Sequence, residues 1–483
     1  MSYLDLTLKD IHDAIITNKV TPLELVKEAL DRANKDTNNC FEYIYNKEAL
    51  EQVEALDPSK KDSIFYGVPI VIKDNYSTKD IPTTASSNIL NGYVPIFDAT
   101  VVSKLKESGA IIIAKTTMDE LAMGGSGTTG RLGKTTNPYN KDHLIGGSSC
   151  GSAAAIASGI VPFALGSDTG DSVRKPASYG GLVGFKPSWG RISRFGLFPF
   201  APSLDHVAYF TRNVYDSAVS LNILAGRDNK DSTSSLKEVK DYTSKLNESL
   251  KGKRIAVING IYNSIGDKDI LSTFNKSLEK MKSEGAIINY VDVDIDLLKA
   301  IFPTYFIISC SEATSNNANL DGIKFGAREK GNSYEEVIIN TRTKGFSELI
   351  KRRFVIGSYS LLRENREELF TRAQKCRRLI VNAINDILKD NDAIYLPSAP
   401  TVAPTFTNNN VDKMSDEYLI ADNYMAIGNF GGLPSITIPL GFKGELPFGG
   451  NLTGKAFDED TLLSIANNLE KITGLSNLIA RGK

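Results

Sequence analysis

Histidine is scarce: only His12, His143 and His206 occur in 483 residues. A Ser-His-Asp triad would have to recruit one of the three, and a zinc site would need a cluster that is missing. His12 falls in a helical pattern and reads as a surface residue. His143 lies in the polar loop NPYNKDHL, and His206 follows Asp205 in a turn. A histidine base is therefore not expected. Cys40, Cys150, Cys310 and Cys376 are scattered, with no CxxC pair, which excludes a disulfide framework and fits a reducing compartment. No apolar run of 18 residues occurs, so nothing is expected to span a membrane. The opening MSYLDLTLKDIHDAI carries acidic residues and an amphipathic pattern, unlike a secretory signal, and a cytoplasmic location is the expectation. There is no excess of charge either. A formal net charge of −1 creates no field to draw in nucleic acid or an anionic membrane, so any RNA would be held by another chain.

What is there suits a globular enzyme. The length allows two or three average domains or one large α/β unit. Leu6, Leu8, Ile11 and Ile15 repeat at helical spacing. Thr21-Pro22 reads as an N-cap and first-turn proline ahead of LELVKEALDRANK. From Ser63 the pattern turns to strands, and the run Val68 to Ile72 ends in Lys73-Asp74-Asn75. A lysine closing a buried strand either snorkels to the surface or is buried for a purpose; burial statistics alone favour snorkelling. TVVSKLKESG followed by AIIIAK is a helix and a short buried strand. IAVING, FNKSLEKMKSEG and AIINYVDVDI continue the alternation, which implies a largely parallel sheet covered by helices. SSLKEVKDYTSKLNESLKGK reads as a surface insertion, helical or irregular. The Arg- and Lys-rich segments of 345–390 read as helices with solvated faces. AIYLPSAP and SITIPLG restore buried strands, and TLLSIANNLEK closes with a helix.

The stretch Gly146 to Gly190 is unusually rich in glycine and serine. Glycine is costly inside regular elements, so such a run suggests backbone that approaches something closely or aims several N–H groups at one spot. The alternative is a flexible linker, but the embedded segments AAAIASGIVPFAL and GLVGF have no place in one. SSCGSAAAIASG reads as a small-residue helix, VPFALGS as a strand, and GSDTGDSVRKP as a turn-rich loop ending at Pro176. Ser148, Ser149, Ser167 and Ser172 are candidate nucleophiles.

The ordered set VIKDN, then GGSS-x-GS-AAA, then LGSDTG-x-S-x-R-x-P, then VGFKPS-x-GR-x-S resembles the amidase signature family over essentially the whole chain. The resemblance implies an α/β fold with a large, mixed, mostly parallel central sheet covered by helices on both faces. It implies one domain over 1–483: N-terminal helices over 1–60, the signature core over 61–210, a helical and βα insertion over 211–390, and C-terminal strands and helix completing the core over 391–483. It also implies a Ser-cisSer-Lys catalytic unit, with Lys73 as the lysine, Ser148 as the bridging serine after a cis peptide, and Ser172 as the nucleophile carrying the acyl ester. A serine needs a base to take its proton, and lysine serves only when a buried site keeps it neutral. Thr169, Gly170 and Asp171 would supply the oxyanion hole. Ser149 would support local hydrogen bonding, and Asp168 with Arg174 would form a structural ion pair. Two positions depart from the family pattern. Asp171 replaces a glycine, and its charge opposes a developing oxyanion unless the side chain points away; Cys150 replaces another glycine and reads as packing at the start of a helix.

Within the family, PTYFIISCSEATSNNANLDGIKFG, KGFSELIKRRFVIGSYSL and ADNYMAIGNFGGLPSITIPLG resemble the A subunits of aspartyl/glutamyl-tRNA amidotransferases. This implies a glutaminase that passes ammonia to a B subunit, with a small C subunit completing a heterotrimer. ATP and Mg2+ would sit on the partner, no cofactor or metal on this chain, and tRNA would be met mainly through the partner. Arg353 would pair with the α-carboxylate of glutamine and Asp422 with its α-ammonium, as a zwitterion demands. Arg352 competes with Arg353 for that role. Tyr305, an aromatic in a strand-like run, would touch substrate nearby. A stand-alone amidase of another amide and a silent scaffold subunit, the latter suggested by Asp171, are the alternatives.

Overall fold

The computed structural model describes residues 2–407 and 413–480. Its strands are β1 (Phe41–Ile44), β2 (Pro69–Lys73), β3 (Ile111–Thr116), β4 (Thr136–Asn137), β5 (Asn140–Leu144), β6 (Ala164–Asp168) and β7 (Val183–Lys186). The later ones are β8 (His206–Thr211), β9 (Arg254–Ile258), β10 (Ile287–Val291), β11 (Ala393–Pro397), β12 (Ser435–Lys443) and β13 (Leu446–Gly454). All but β4 and β5 join one sheet in the order β1-β3-β2-β6-β8-β7-β12-β13-β11-β9-β10. The sheet is mixed. Parallel ladders link β3 to β2, β2 to β6, β11 to β9 and β9 to β10, and antiparallel ones fill the centre between β6 and β11.

The sequence explains where the sheet is deepest. PIVIK of β2 and IIIAKT of β3 are buried at every position, as expected of parallel strands covered on both faces. Each fully buried Val or Ile contributes about 1.5–3 kcal/mol. The opening helices are Leu8–Ile16 and Pro22–Asn34. Thr21 caps the second: its hydroxyl accepts from Glu24 N–H, and the Glu24 carboxylate accepts from Thr21 N–H in return, which satisfies orphan donors at the helix start. The segment around 227–253 is irregular apart from turns, one of the two forms expected for it. NPYNKDHL, read as a loop, is the small hairpin of β4 and β5.

Four helices converge on the C-terminal ends of β2 and β6. The helix Cys150–Ala157 follows the serine turn and is buried along its whole length, because its alanines leave no side-chain bulk to hold it off the sheet. The helix Arg174–Gly180 begins after Ser172 and includes Pro176. The turn expected to end at that proline therefore becomes helical two residues earlier, since proline is tolerated in a first turn where no intrahelical N–H bond is lost. Ile301–Asn316 and Glu348–Leu361 pack on each other above this corner. Tyr305 thus lies on a helix, not in a strand. Its segment is apolar on most sides, which hides the 3.6-residue period.

Candidate active site

Lys73 is fully buried at the end of β2, so the expectation of snorkelling is corrected: the strand end is roofed by the serine turn. Its Nζ donates to Ser148 Oγ at 2.8 Å, Ser149 Oγ at 2.9 Å and Ser167 Oγ at 2.9 Å. Among the described residues it has no carboxylate within ion-pair distance. Burial lowers its pKa to about 7, opposed only in part by the Cys150 thiol and by the carboxylates of Asp119, Asp168 and Asp205. A neutral amine is therefore accessible near neutral pH.

The Gly147–Ser148 peptide is cis. Gly147 cannot carry a side chain, because a Cβ there would collide with Asp119 Oδ2. Asp119 gathers the glycine-rich turn beneath by accepting from the N–H groups of Gly127, Thr128 and Thr129. Its own N–H donates to the Ser148 carbonyl at 3.1 Å. Ser149 donates to the Ser167 carbonyl at 3.1 Å while accepting from Lys73. Asn75 adds a donor to Ser167 Oγ at 3.0 Å.

Ser172 follows the turn after β6, and Ser149 N–H donates to its carbonyl at 3.3 Å. Its hydroxyl makes no hydrogen bond among the described residues. Catalytic hydrogen bonds commonly tighten only once substrate is engaged. The preceding turn is held from behind. Arg174 pairs with Asp168 at 2.8 and 3.1 Å, both fully buried, and donates to the Gly170 carbonyl at 2.7 Å. Asn429 donates to the Asp168 carbonyl at 3.0 Å and accepts from Arg174 at 2.7 Å. Burial acts to raise the Asp168 pKa, but Arg174 and then Lys186 overcome it and hold the carboxyl well below its usual range. The peptide is planar and trans, so C=O and N–H point opposite ways. With the carbonyls of Asp168 and Gly170 drawn backward, the N–H groups of Thr169 and Asp171 face forward. No acceptor takes the N–H groups of Thr169, Gly170 or Asp171 among the described residues.

Gly170 also has to be small: a Cβ there would meet the Tyr305 ring at 2.9 Å. Tyr305, Phe302, Asn423, Ala426, Gly170 and Asp171 line a cavity of about 20 Å³, room for about one water. Admitting a larger ligand requires side chains at this rim to move, and Tyr305 is the one lying on the turn. A larger cavity, about 510 Å³, lies on the other side of Asn429, among Trp189, Arg377 and Phe457.

Arg353 points inward beneath Phe306 and Phe200, with ring centroids 5.2 and 5.8 Å away, and its Nε and Nη1 are buried without a hydrogen-bond partner among the described residues. Unpartnered buried guanidinium nitrogens are costly, and a carboxylate is their natural complement. Arg352, next to it on the same helix, is exposed, so of the two arginines only Arg353 faces the interior. The solvated-face reading also fails for Arg377, which is half-buried and donates to the Phe430 and Ser203 carbonyls. Asp422 Oδ1 lies 3.2 Å from Lys175 Nζ, and Lys175 pairs in turn with Asp171 at 2.8 Å. Lys175 is absent from the residues that the sequence singles out, although an aspartate four residues before a lysine is a legible helical pairing signal.

The remaining candidates are placed elsewhere. Cys150 is buried, and burial pushes its thiol pKa up to about 12, which suppresses the thiolate a nucleophile needs. His206 lies in β8 rather than a turn, and its Nδ1 contacts the Leu204 carbonyl at 2.7 Å. Burial drives its pKa far down. His143 Nδ1 contacts the Ala403 carbonyl, and His12 contacts the Lys61 carbonyl. Among the described residues no group of three or more His, Cys, Asp or Glu side chains is arranged to hold a metal ion, and no helix is long and apolar enough to cross a membrane.

A mixed α/β sheet whose strand-end lysine meets a cis-peptide serine turn defines a class of protein, and a profile of that class fits: the chain belongs to the amidase family, which matches residues 24–463. More particular relatives carry the name of the A subunit of glutamyl-tRNA(Gln) amidotransferase. The one from Pediococcus pentosaceus is 40% identical over 98% of both chains, and that from Fusobacterium nucleatum is 39% identical over 98% of both. Among solved structures, the Thermotoga maritima protein of the same name is 33% identical, with 98% of this chain and 95% of its own covered, and superposes with a TM-score of 0.76. A crystal structure described as an amidase superposes at 0.80 with 26% identity over 97% of this chain and 100% of its own.

Proposed function

We propose that this chain is the glutaminase subunit of a tRNA-dependent amidotransferase and that Lys73, Ser148 and Ser172 carry its chemistry. The observation that bears most weight is a fully buried lysine whose hydrogen bonds go to serine hydroxyls and one carbonyl. Neutral Lys73 takes the Ser148 proton as Ser148 takes that of Ser172, and Ser172 Oγ attacks the glutamine side-chain amide carbon. The carbonyl oxygen becomes an oxyanion received by the forward N–H groups of Thr169 and Asp171, with the Gly170 N–H, unpartnered among the described residues, between them. The proton returns through Ser148 to the leaving nitrogen, the C–N bond breaks, and ammonia departs from a glutamyl ester on Ser172. Water, deprotonated by the same route, hydrolyses that ester to glutamate.

Arg353 and Asp422 suit the two charges of a free amino acid. A stand-alone amidase of neutral amides would have no use for inward-facing guanidinium nitrogens left without a carboxylate. The silent-scaffold reading loses its motive, because Asp171 is neutralised by Lys175. On this reading the ammonia passes to a B subunit that binds ATP and Mg2+ and amidates Glu-tRNA(Gln), Asp-tRNA(Asn) or both. A C subunit completes the cytoplasmic complex, and tRNA is bound mainly by the partner. The test is ammonia release from labelled glutamine by the complex co-expressed with its partners. Ser172→Ala should lower it by about 10,000-fold while amidation from added ammonium salts continues. Equal loss of both activities, or no ammonia from wild type, would overturn the reading.

A further inference from the structure

We propose that Lys175 is a positioning residue for the oxyanion turn: its ammonium binds the Asp171 carboxylate and anchors it to Asp422, so that Asp171 lends its N–H to the reaction without lending its charge. This inference rests on the glutaminase reading above.

Asp171 stands immediately before Ser172, and its backbone N–H is one of the forward-facing donors. Its carboxylate is therefore on the same residue as a group meant to receive a negative oxygen, and like charges at that range oppose each other through a partly desolvated corner. Arg174 cannot offset this charge, since its guanidinium is committed to Asp168, the Gly170 and Met425 carbonyls and Asn429. Lys73 is on the other side, among the serines.

Lys175 fills the gap. It lies in the first turn of the helix Arg174–Gly180, and its N–H donates to the Asp171 carbonyl at 2.9 Å, which folds its side chain back along the turn. An ammonium has three protons, and Nζ has three acceptors: Asp171 Oδ2 at 2.8 Å, Asp422 Oδ1 at 3.2 Å and the Asp422 carbonyl at 2.7 Å. Lys175 is only 7% exposed, so its ammonium is largely withdrawn from water. Burial raises the Asp171 pKa, and the Lys175 charge is the main force opposing it. The node also orients Asp422. Its Oδ1 is taken by Lys175, and its Oδ2 has no partner among the described residues, which leaves one carboxylate oxygen for a substrate ammonium. Two carboxylates and one ammonium leave a single net negative charge at this end of the site, the complement of one α-ammonium.

The test uses the complex with its partner subunits and steady-state release of ammonia from glutamine. Lys175→Met frees the Asp171 charge and should lower kcat about 30-fold; KM rises as well, because Asp422 loses the ammonium that orients it. Adding Asp171→Asn to Lys175→Met removes the opposing charge and should recover at least about tenfold in kcat. A role in packing alone would leave the double variant no better than the single one. Wild-type kcat in Lys175→Met, or no recovery in the double variant, overturns the inference while the glutaminase reading stands. If Lys175→Met does not fold, the double variant still decides: turnover of glutamine supports the inference, and a folded but inactive double variant overturns it. A wild-type complex that releases no ammonia overturns both.

Discussion

Lys73 ends β2 and Lys115 is the penultimate residue of the neighbouring parallel strand β3, paired in register with Ile72. Both are fully buried, and both close short apolar runs. Burial lowers the pKa of each, to about 7 for Lys73 and about 8 for Lys115. Their surroundings differ. Lys115 donates to the Tyr76 carbonyl at 2.6 Å and to Thr78 and Thr83, and it has the Asp74 carboxylate 3.5 Å away. Both threonine hydroxyls donate to backbone carbonyls, so neither links Lys115 to a nucleophile. Lys73 meets Ser148, which precedes the turn bonded to Ser172. Burial by itself does not make a base: the neighbours decide whether a lysine holds a loop together or moves a proton. Asp74, next to Lys73 in sequence, serves Lys115 instead, since successive residues of an extended chain point to opposite faces.

The sharpest way to break this comparison is to replace each lysine by methionine. Lys73→Met should cost about 1,000-fold in kcat for glutamine hydrolysis with stability nearly unchanged, because no buried carboxylate is orphaned. Lys115→Met should do the reverse. It leaves Asp74 buried without its cation and should lower unfolding free energy by about 3 kcal/mol, read by urea denaturation, while the kcat of the folded fraction stays within about tenfold of wild type. If the two variants behaved alike, the distinction between them would be void.

The smallest effect concerns pH. The base must be neutral, so kcat/KM should rise with pH through a midpoint near 7 and fall about tenfold per unit below it. Ser167→Ala removes an acceptor that favours charged Lys73. The Lys73 pKa should fall further, and the limb should move to lower pH by less than about one unit. A limb that moved upward would show that Ser167 favours the neutral amine.

Much of this corner is legible in one dimension. The run ending at Lys73, the GGSS turn and the Asp-Thr-Gly-Asp-Ser turn carry their roles in composition and order. The helix at Thr21 announces itself through a capping box of adjacent residues. Tyr305 is harder, because its helix is apolar on most sides and shows no stripe. Arg352 and Arg353 are equivalent as letters; helix packing turns one to solvent and the other toward Phe306. Lys175 does not stand out in the sequence because its second carboxylate lies 247 positions away.

The sequence by itself determined the strand ends, the caps and the inventory of hydroxyls and charges, since those depend on neighbours a few residues apart. Only the tertiary structure decided which lysine is a base, which arginine faces the site and how Asp171 is neutralised. Lys73 meets Ser148 across 75 residues and Ser167 across 94. A pKa is set by water excluded and charges gathered in space, and no local pattern encodes that.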